Sequence, residues 1–357
     1  MPLTSAATTG SLYDCVDEQL RELVHCFHLG HRLEQILKAY QTLCSESLAM
    51  PLGRPVPGFS RINEDGTPFQ YALITEPERA SPLQFLSEAG VPGASMMERM
   101  ALSRDRIRSL CSVLGTTTKA EEVLDLLDHI APVSNPDLLA DDAGAFWIGV
   151  SFAIDGPPKL IAYINGKWGS EDARWARLDD FADRLDARQQ WQAVKMVLSR
   201  QMKPLGMALT VSQDRSLQGR IYVSAYGESL GFYEQVAQGL GGTRVLALLN
   251  QFTEIMLGDD RQYPTRSAVC SFGLNHRSEP DFKFELCGHC MFGGDRDAVA
   301  KCSRWLASLN SAPAHYEHLL RVLAPGPLSP THVHLHSYVG VGWRAQESYG
   351  TIYLKPG

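Results

Sequence analysis

Three histidines alternate in the string His332-Val333-His334-Leu335-His336, which leads into Tyr338. Alternate side chains of an extended chain share a face, so the three imidazoles and Tyr338 are expected on one side. Imidazoles at that spacing could ligate a metal or shuttle protons. Cys287-Gly288-His289-Cys290 adds two thiols and a further imidazole, and the same rule puts Glu285, Cys287 and His289 on one face. A Cys-x-x-Cys pair without a second pair is a weak zinc signal, so no metal ligand is assigned. Polar lining or ordinary packing is the expected role of most of these groups, with Glu285 and His336 kept as acid–base candidates.

Other strings carry less. Gly239-Leu240-Gly241-Gly242 lacks the order of a phosphate loop and follows a helical pattern, so it reads as a helix-ending loop. The charged run over 174–188 reads as a solvated helix face. Neither a His-Glu-x-x-His string nor a dinucleotide fingerprint is present.

The chain that must position these groups has 357 residues, 44% of them hydrophobic and 20% charged, enough for a large core. Residues 1–10 are expected to be a flexible N-terminus and 11–357 a single domain. A formal charge of -7 and a pI near 5.9 disfavour a nucleic-acid partner. No apolar run of about 18 residues argues for a membrane span, and the N-terminal string lacks signal-peptide features. Eight cysteines, several inside apolar periodic segments, read as reduced thiols, so the expected location is cytoplasmic.

Apolar spacing predicts helices over 12–29, with Gly30 as the left-handed stop, and over 31–48. Strands follow over 68–76 and 82–86. The order returns as a helix-rich 95–130 and a hairpin over 145–167, flanked by Trp147 and Trp168. Its second strand, Pro-Pro-Lys-Leu-Ile-Ala-Tyr-Ile-Asn-Gly-Lys, has an oily face at Leu160, Ala162 and Ile164. The opposite face carries Lys159, Ile161, Tyr163 and Asn165 and is partly polar. Then come one long helix or two over 170–201, strands over 207–213 and 219–226, and a helix over 230–257. A hairpin over 268–275 and 281–290 turns at 277–280. Helix over 295–324 and strands over 332–341 and 348–355 end the chain. The fold class read from this order is α+β, with five groups of two helices and two strands. Ten antiparallel strands closing into one barrel would leave no exposed edge, with helices wrapped outside and a lumen able to hold a ligand.

Local strings make the reading more specific: Leu52-Gly53-Arg54-Pro55, GTPFQYAL (66–73), KLIAYING (159–166), GRIYVSA (219–225), Leu240-Gly241-Gly242, DFKFELCG (281–288), HSYVGVGW (336–343) and GTIYLKP (350–356). In this order and spacing, from about Leu29 onward, the chain resembles the aromatic prenyltransferase barrels, specifically the indole prenyltransferases of the dimethylallyltryptophan synthase type. The resemblance implies transfer of a prenyl group from an allylic diphosphate, dimethylallyl or geranyl, to an aromatic acceptor such as an indole in specialised metabolism such as alkaloid biosynthesis. That chemistry needs cations for the leaving diphosphate, aromatic faces to shield an allylic cation, and a group to orient the acceptor.

Tyr163, Tyr222, Tyr338 and Tyr353 match tyrosines that ring the lumen in the family. The diphosphate-binding positions fall on Gln84, with Arg79 nearby as a substitute, and on Lys159, Arg220 and Lys283. Ile161 stands where the family has a lysine, Gln218 where it has an arginine, and Glu285 where it has a tyrosine. Gln70 replaces the glutamate that holds the indole N–H, and an amide accepts a hydrogen bond but not a proton. No cofactor is implied as required; magnesium is compatible. The partners implied are the two small-molecule substrates, with a monomer or homodimer as assembly. The alternative reading is a repurposed barrel doing diphosphate-independent acid–base chemistry, cyclisation or isomerisation, through Glu285 and the His332/His334/His336 face.

Overall fold

The computed structural model describes residues 10–75, 82–131, 146–198, 201–225, 230–258, 268–274, 281–310 and 313–357. Residues 1–9, Arg79 and the turn at 277–280 lie outside the described residues.

Ser11 starts α1 (Leu12–Cys26) with a capping box, its hydroxyl accepting from the Asp14 amide while the Asp14 carboxylate accepts from the Ser11 amide. The stop is not Gly30. His28 takes the left-handed position at φ 56°, and histidine is among the side chains that tolerate it. The Leu29 amide donates to Val24 O at 2.9 Å and the His28 amide to His25 O at 3.1 Å, a complete Schellman motif. Gly30 opens a short 3-10 turn instead.

The chain continues as α2 (Leu33–Cys44), β1 (Phe69–Thr75), β2 (Leu83–Glu88), α3 (Met96–Val113), α4 (Ala120–Ile130), β3 (Phe146–Phe152) and β4 (Lys159–Asn165). Next are α5 (Glu171–Arg184), α6 (Arg188–Val197), β5 (Met202–Ser212), β6 (Arg215–Ala225), α7 (Gly231–Leu257), β7 (Ala268–Leu274) and β8 (Asp281–Cys287). A single turn, α8 (Gly288–Met291), precedes α9 (Asp295–Ser308), α10 (Ala314–Leu323), β9 (His336–Arg344) and β10 (Glu347–Leu354). Within α7, Gly242 has φ 64° and ψ -155°, so the path breaks there into two helical segments. The Gly-rich string read as a loop is this kink. Strand β5 begins five residues earlier than its apolar pattern predicted, because Lys203 and Leu205 alternate with buried Met202 and Pro204.

All ten strands form one closed barrel in the order β1-β10-β9-β8-β7-β6-β5-β4-β3-β2. Each pairs antiparallel with its chain neighbours across the hairpins, and β1 meets β10 with Tyr71 opposite Leu354. Closure leaves no strand edge to solvent.

The two faces of every strand do different work. Phe69, Tyr71, Phe85, Ile148, Leu160, Leu209, Ile221, Phe284 and Ile352 point outward into one continuous core with the helices. Burying each such side chain contributes about 1.5–3 kcal/mol. The Tyr71 hydroxyl donates to Gln19 Oε1 of α1 at 3.2 Å, which shows directly that this face looks out. Trp168 packs in the same outer layer. A second, separate cluster lies inside: Ile62, Ala72, Leu86 and Tyr353, with Trp147 and Tyr338 against it. Ile62 comes from the stretch 54–68, which closes the barrel end where β1 starts. Ser60 Oγ donates to Glu88 Oε2 at 2.7 Å, Ser337 Oγ to Asn63 Oδ1 at 2.5 Å, and Asp65 pairs with Lys355.

Candidate active site

Strand β4 shows the open side of the lumen: its outward residues are buried, whereas Lys159, Ile161, Tyr163 and Asn165 alternate with them and remain partly accessible. Opposite, β8 is buried on both faces. There the inward residues Asp281, Lys283 and Glu285 are locked into a polar network. Arg220 Nη2 donates to Asp281 Oδ2 at 2.5 Å and Nη1 to Ser271 Oγ at 3.0 Å. The Tyr349 hydroxyl donates to Asp281 Oδ1 at 3.2 Å. Lys283 Nζ lies 2.8 Å from Glu285 Oε1 and donates to the Tyr353 hydroxyl at 3.2 Å.

Glycines make this reach possible. Gly340 and Gly342 of β9 stand between β8 and β10 without side chains. A Cβ on Gly340 would lie 2.6 Å from Thr351 Oγ1 and 2.7 Å from Glu285 Cγ; one on Gly342 would lie 2.0 Å from Tyr349 Cζ.

The tyrosines Tyr163, Tyr222, Tyr338 and Tyr353 all project inward. Tyr163 and Tyr222 have ring centroids 6.3 Å apart, Tyr338 and Tyr353 6.5 Å apart. Lys283 Nζ lies 5.9 Å from the Tyr222 centroid and 5.5 Å from that of Tyr353. The rings thus already face a cation, the geometry in which aromatic quadrupoles attract positive charge. Burial works against the Lys283 charge, but Glu285 and then Tyr222 outweigh it and raise its pKa above that of ordinary lysine. Arg220 is raised in the same way, with Asp281 overcoming burial. The Tyr349 phenol is pushed up to about 12 by burial and then by Asp281.

Gln70 sits on the inward face of β1, nearer the covered end. Its Nε2 donates to Ile62 O at 2.9 Å and to Asn63 Oδ1 at 2.8 Å. Asn63 in turn donates from Nδ2 to Thr67 O and Phe69 O, at 2.7 and 2.9 Å, which fixes its own oxygen toward Gln70. Both amide hydrogens of Gln70 are therefore spent on the protein, and its Oε1 is what remains for a ligand. Gln84, also inward and 2% exposed, hydrogen-bonds the Tyr163 hydroxyl. Lys159 projects inward from the start of β4, opposite Ser151 of β3 and Ser212 of β5.

One expectation is corrected outright. His336 does not share the Tyr338 face. A bulge between Tyr353 and Leu354 shifts the register, so that Tyr338 pairs with Tyr353 but His336 pairs with Leu354. His336 therefore points outward, where Nδ1 lies 3.1 Å from Asp295 Oδ1 and Nε2 lies 2.7 Å from the Tyr316 hydroxyl. A neutral imidazole donating to Asp295 and accepting from Tyr316 satisfies all three groups and ties β9 to α9 and α10. His332 and His334 precede the strand, stacked on each other with centroids 5.8 Å apart and exposed. The histidine face that would run acid–base chemistry is not assembled in the lumen, which leaves Glu285, clasped by Lys283.

Sequence reasoning missed Asp281, Tyr349, Asn63 and Ile62. The first two were within reach: Asp281 shares the parity of Lys283 and Glu285, and Tyr349 that of Tyr353. Nothing local marks Asn63 and Ile62, whose importance comes from a loop folding over a mouth closed by residues distant in sequence.

No protein-family model matches the chain, and no curated protein matches it in sequence. Solved structures do. A 6-dimethylallyl tryptophan synthase matches with a TM-score of 0.83 and 17% identity, over 98% of this chain and 97% of that one. The 5-dimethylallyl tryptophan synthase from Streptomyces coelicolor, in complex with DMASPP and Trp, gives 0.82 and 19%, over 98% and 96%. The prenyltransferase PriB, in a ternary complex with L-tryptophan and dimethylallyl thiolodiphosphate, gives 0.79 and 20%, over 97% and 96%. End-to-end coverage at these scores gives the chain the prenyltransferase-barrel fold.

Proposed function

We propose that the protein transfers a prenyl group, dimethylallyl or geranyl, from its diphosphate to an aromatic acceptor, an indole being the ring that suits Gln70. The observation that carries this reading is the placement of Lys283 against the Tyr222 and Tyr353 faces with Arg220 beside them. An allylic C–O bond breaking there leaves diphosphate charge to the two cations and the carbocation to the tyrosines. Gln70 Oε1 would accept the acceptor's N–H and hold its ring over the allylic carbon. Because Gln70 cannot take a proton, the ring hydrogen lost after C–C bond formation would leave to the departing diphosphate or to Glu285. Binding geometry, not a covalent intermediate, would supply the rate.

A second reading rests on a different observation. Each of the two cations already has a carboxylate, Asp281 on Arg220 and Glu285 on Lys283, so the resting network is close to neutral. A lumen built that way suits a neutral substrate and diphosphate-independent chemistry at Glu285.

Calorimetric titration with dimethylallyl thiolodiphosphate, with and without magnesium, separates the two. Prenyl transfer requires micromolar binding that weakens by roughly 10- to 100-fold in Arg220→Ala and Lys283→Ala, as loss of a charge-assisted contact predicts. It also requires tighter binding in Glu285→Gln, where the competing carboxylate is gone. No binding at millimolar ligand to folded protein would instead support the second reading.

A further inference from the structure

We propose that Cys287, His289 and Cys290 form a binding site for a borderline-soft divalent cation, represented by zinc, at the covered end of the barrel. The proposal is independent of the prenyl-transfer reading.

Strand β8 ends at Cys287, and the chain turns at once into the single turn α8. Gly288 permits this because a Cβ there would lie 2.6 Å from His336 O, so the turn packs directly on β9. The turn gathers three ligand atoms: Sγ of Cys287, a ring nitrogen of His289 and Sγ of Cys290 lie within 4.8 Å of one another. Cys287 Sγ is 3.0 Å from His289 Nδ1. Tetrahedral zinc, with Zn–S near 2.3 Å and Zn–N near 2.0–2.1 Å, needs donors about 3.3–3.8 Å apart. The three donors span up to 4.8 Å, so ligation would draw them together by about an ångström.

The second observation concerns the far side of the imidazole. His289 Nε2 lies 3.4 Å from Glu64 Oε2, a residue of the stretch 54–68 that covers the barrel mouth. Metal-bound histidines commonly donate their other N–H to a carboxylate, which fixes the tautomer and aims the ligating nitrogen. Both ring nitrogens lie near Cys287 Sγ, Nδ1 at 3.0 Å and Nε2 at 3.6 Å, so a turn of the ring that aims Nε2–H at Glu64 would present the Nδ1 lone pair to the thiolates. Two thiolates and a neutral imidazole suit zinc better than a hard cation. On ligation each thiol releases its proton to solvent, so two negative charges meet the doubly charged ion and the site is formally neutral.

Access is provided for. His289 and Glu64 side chains are 32% and 68% exposed, whereas Cys287 is 3% exposed and faces the lumen opposite Tyr338. Three protein ligands leave one tetrahedral position for water.

The test uses the full-length chain, stripped with chelator and held under reductant, titrated with cobalt(II) as an optical surrogate and then with zinc. The expected result is one cobalt per chain, with thiolate-to-cobalt charge-transfer absorption and tetrahedral d–d bands that an equivalent of zinc abolishes. Cys290→Ser, at a half-buried position, and His289→Gln, at an exposed one, should lose the charge-transfer band while keeping the wild-type circular dichroism spectrum. Glu64→Gln should keep the band and weaken affinity by about 10- to 100-fold. The proposal is overturned if folded wild-type protein shows no charge-transfer band, or if the band survives Cys290→Ser. It is equally overturned if protein isolated without reductant already holds Cys287 and Cys290 as a disulfide.

Discussion

Gln70 shows how one substitution is answered by its surroundings. The family-like glutamate would offer only acceptors at this position, yet Ile62 O and Asn63 Oδ1 both face it as acceptors. The frame around Gln70 is built for a donor. Gln70→Glu is therefore expected to lower stability by about 1–3 kcal/mol at pH 7. Burial beside two acceptors would raise the new carboxyl above its unfolded pKa. A raised acid is tolerated while protonated and its contribution is lost as pH rises through the folded pKa, so the penalty should shrink from pH 7 to pH 4. Urea midpoints across that range check it; an unchanged midpoint at pH 7 would show that Asn63 reorients. The native Glu88 carboxyl, raised by burial against the opposing pull of Ser60 and Arg99, follows the same sign.

At the scale of the element, β9 decides most. Its two glycines clear the space that lets β8 and β10 share a polar network. Gly342→Ala should push the Tyr349 ring off its seat, cost about 1–3 kcal/mol and loosen the Asp281–Arg220 pair. The readout is a lowered melting temperature together with weaker thiolodiphosphate binding. The bulge at the start of the same strand turns His336 outward onto Asp295, which also accepts the His334 and Leu335 amides at 2.8 and 3.1 Å. Burial pushes the Asp295 pKa up, but the bonds from His336, His334 and Leu335 outweigh it and hold it below the usual aspartate range. A depressed acid stabilises the fold above its unfolded pKa, near 3.9, and that contribution is lost as pH falls through the folded value. Asp295→Asn should thus be less stable than wild type at pH 6, with the two converging toward pH 2–3. A pH-independent difference would assign the effect to packing alone.

For the molecule as a whole, closure of the barrel is the dominant fact. Strands β1 and β10 come from opposite ends of the chain, and their pairing completes the ring. Removing residues 347–357 exposes an edge on β1 and another on β9. The expected result is loss of the cooperative melt and association on size-exclusion chromatography; a monomer with a native-like melt would show that the open sheet suffices. Among the described residues no helix is long and apolar enough to cross a membrane. Much of this was legible without coordinates. Helical and alternating periods report the local burial of each side chain, so they placed nearly every element and the five-fold repeat of helices then strands, while the resemblance to the prenyltransferase barrels pointed to Tyr163 and Tyr222. They failed where a position depends on something far off in the chain. Parity along β9 predicted His336 inward, and one bulge against Leu354 reversed it. The resemblance to the prenyltransferase barrels named Arg220, Lys283 and Glu285, but the partners that neutralise them were set by strand register. The sequence alone determined which residues alternate and which segments bury an oily face, because those follow from backbone geometry over a few residues. Only the closed tertiary structure decided which side was the lumen, who met whom across it, and how Asn63 aims Gln70, because those depend on the pairing of strands brought together by closure.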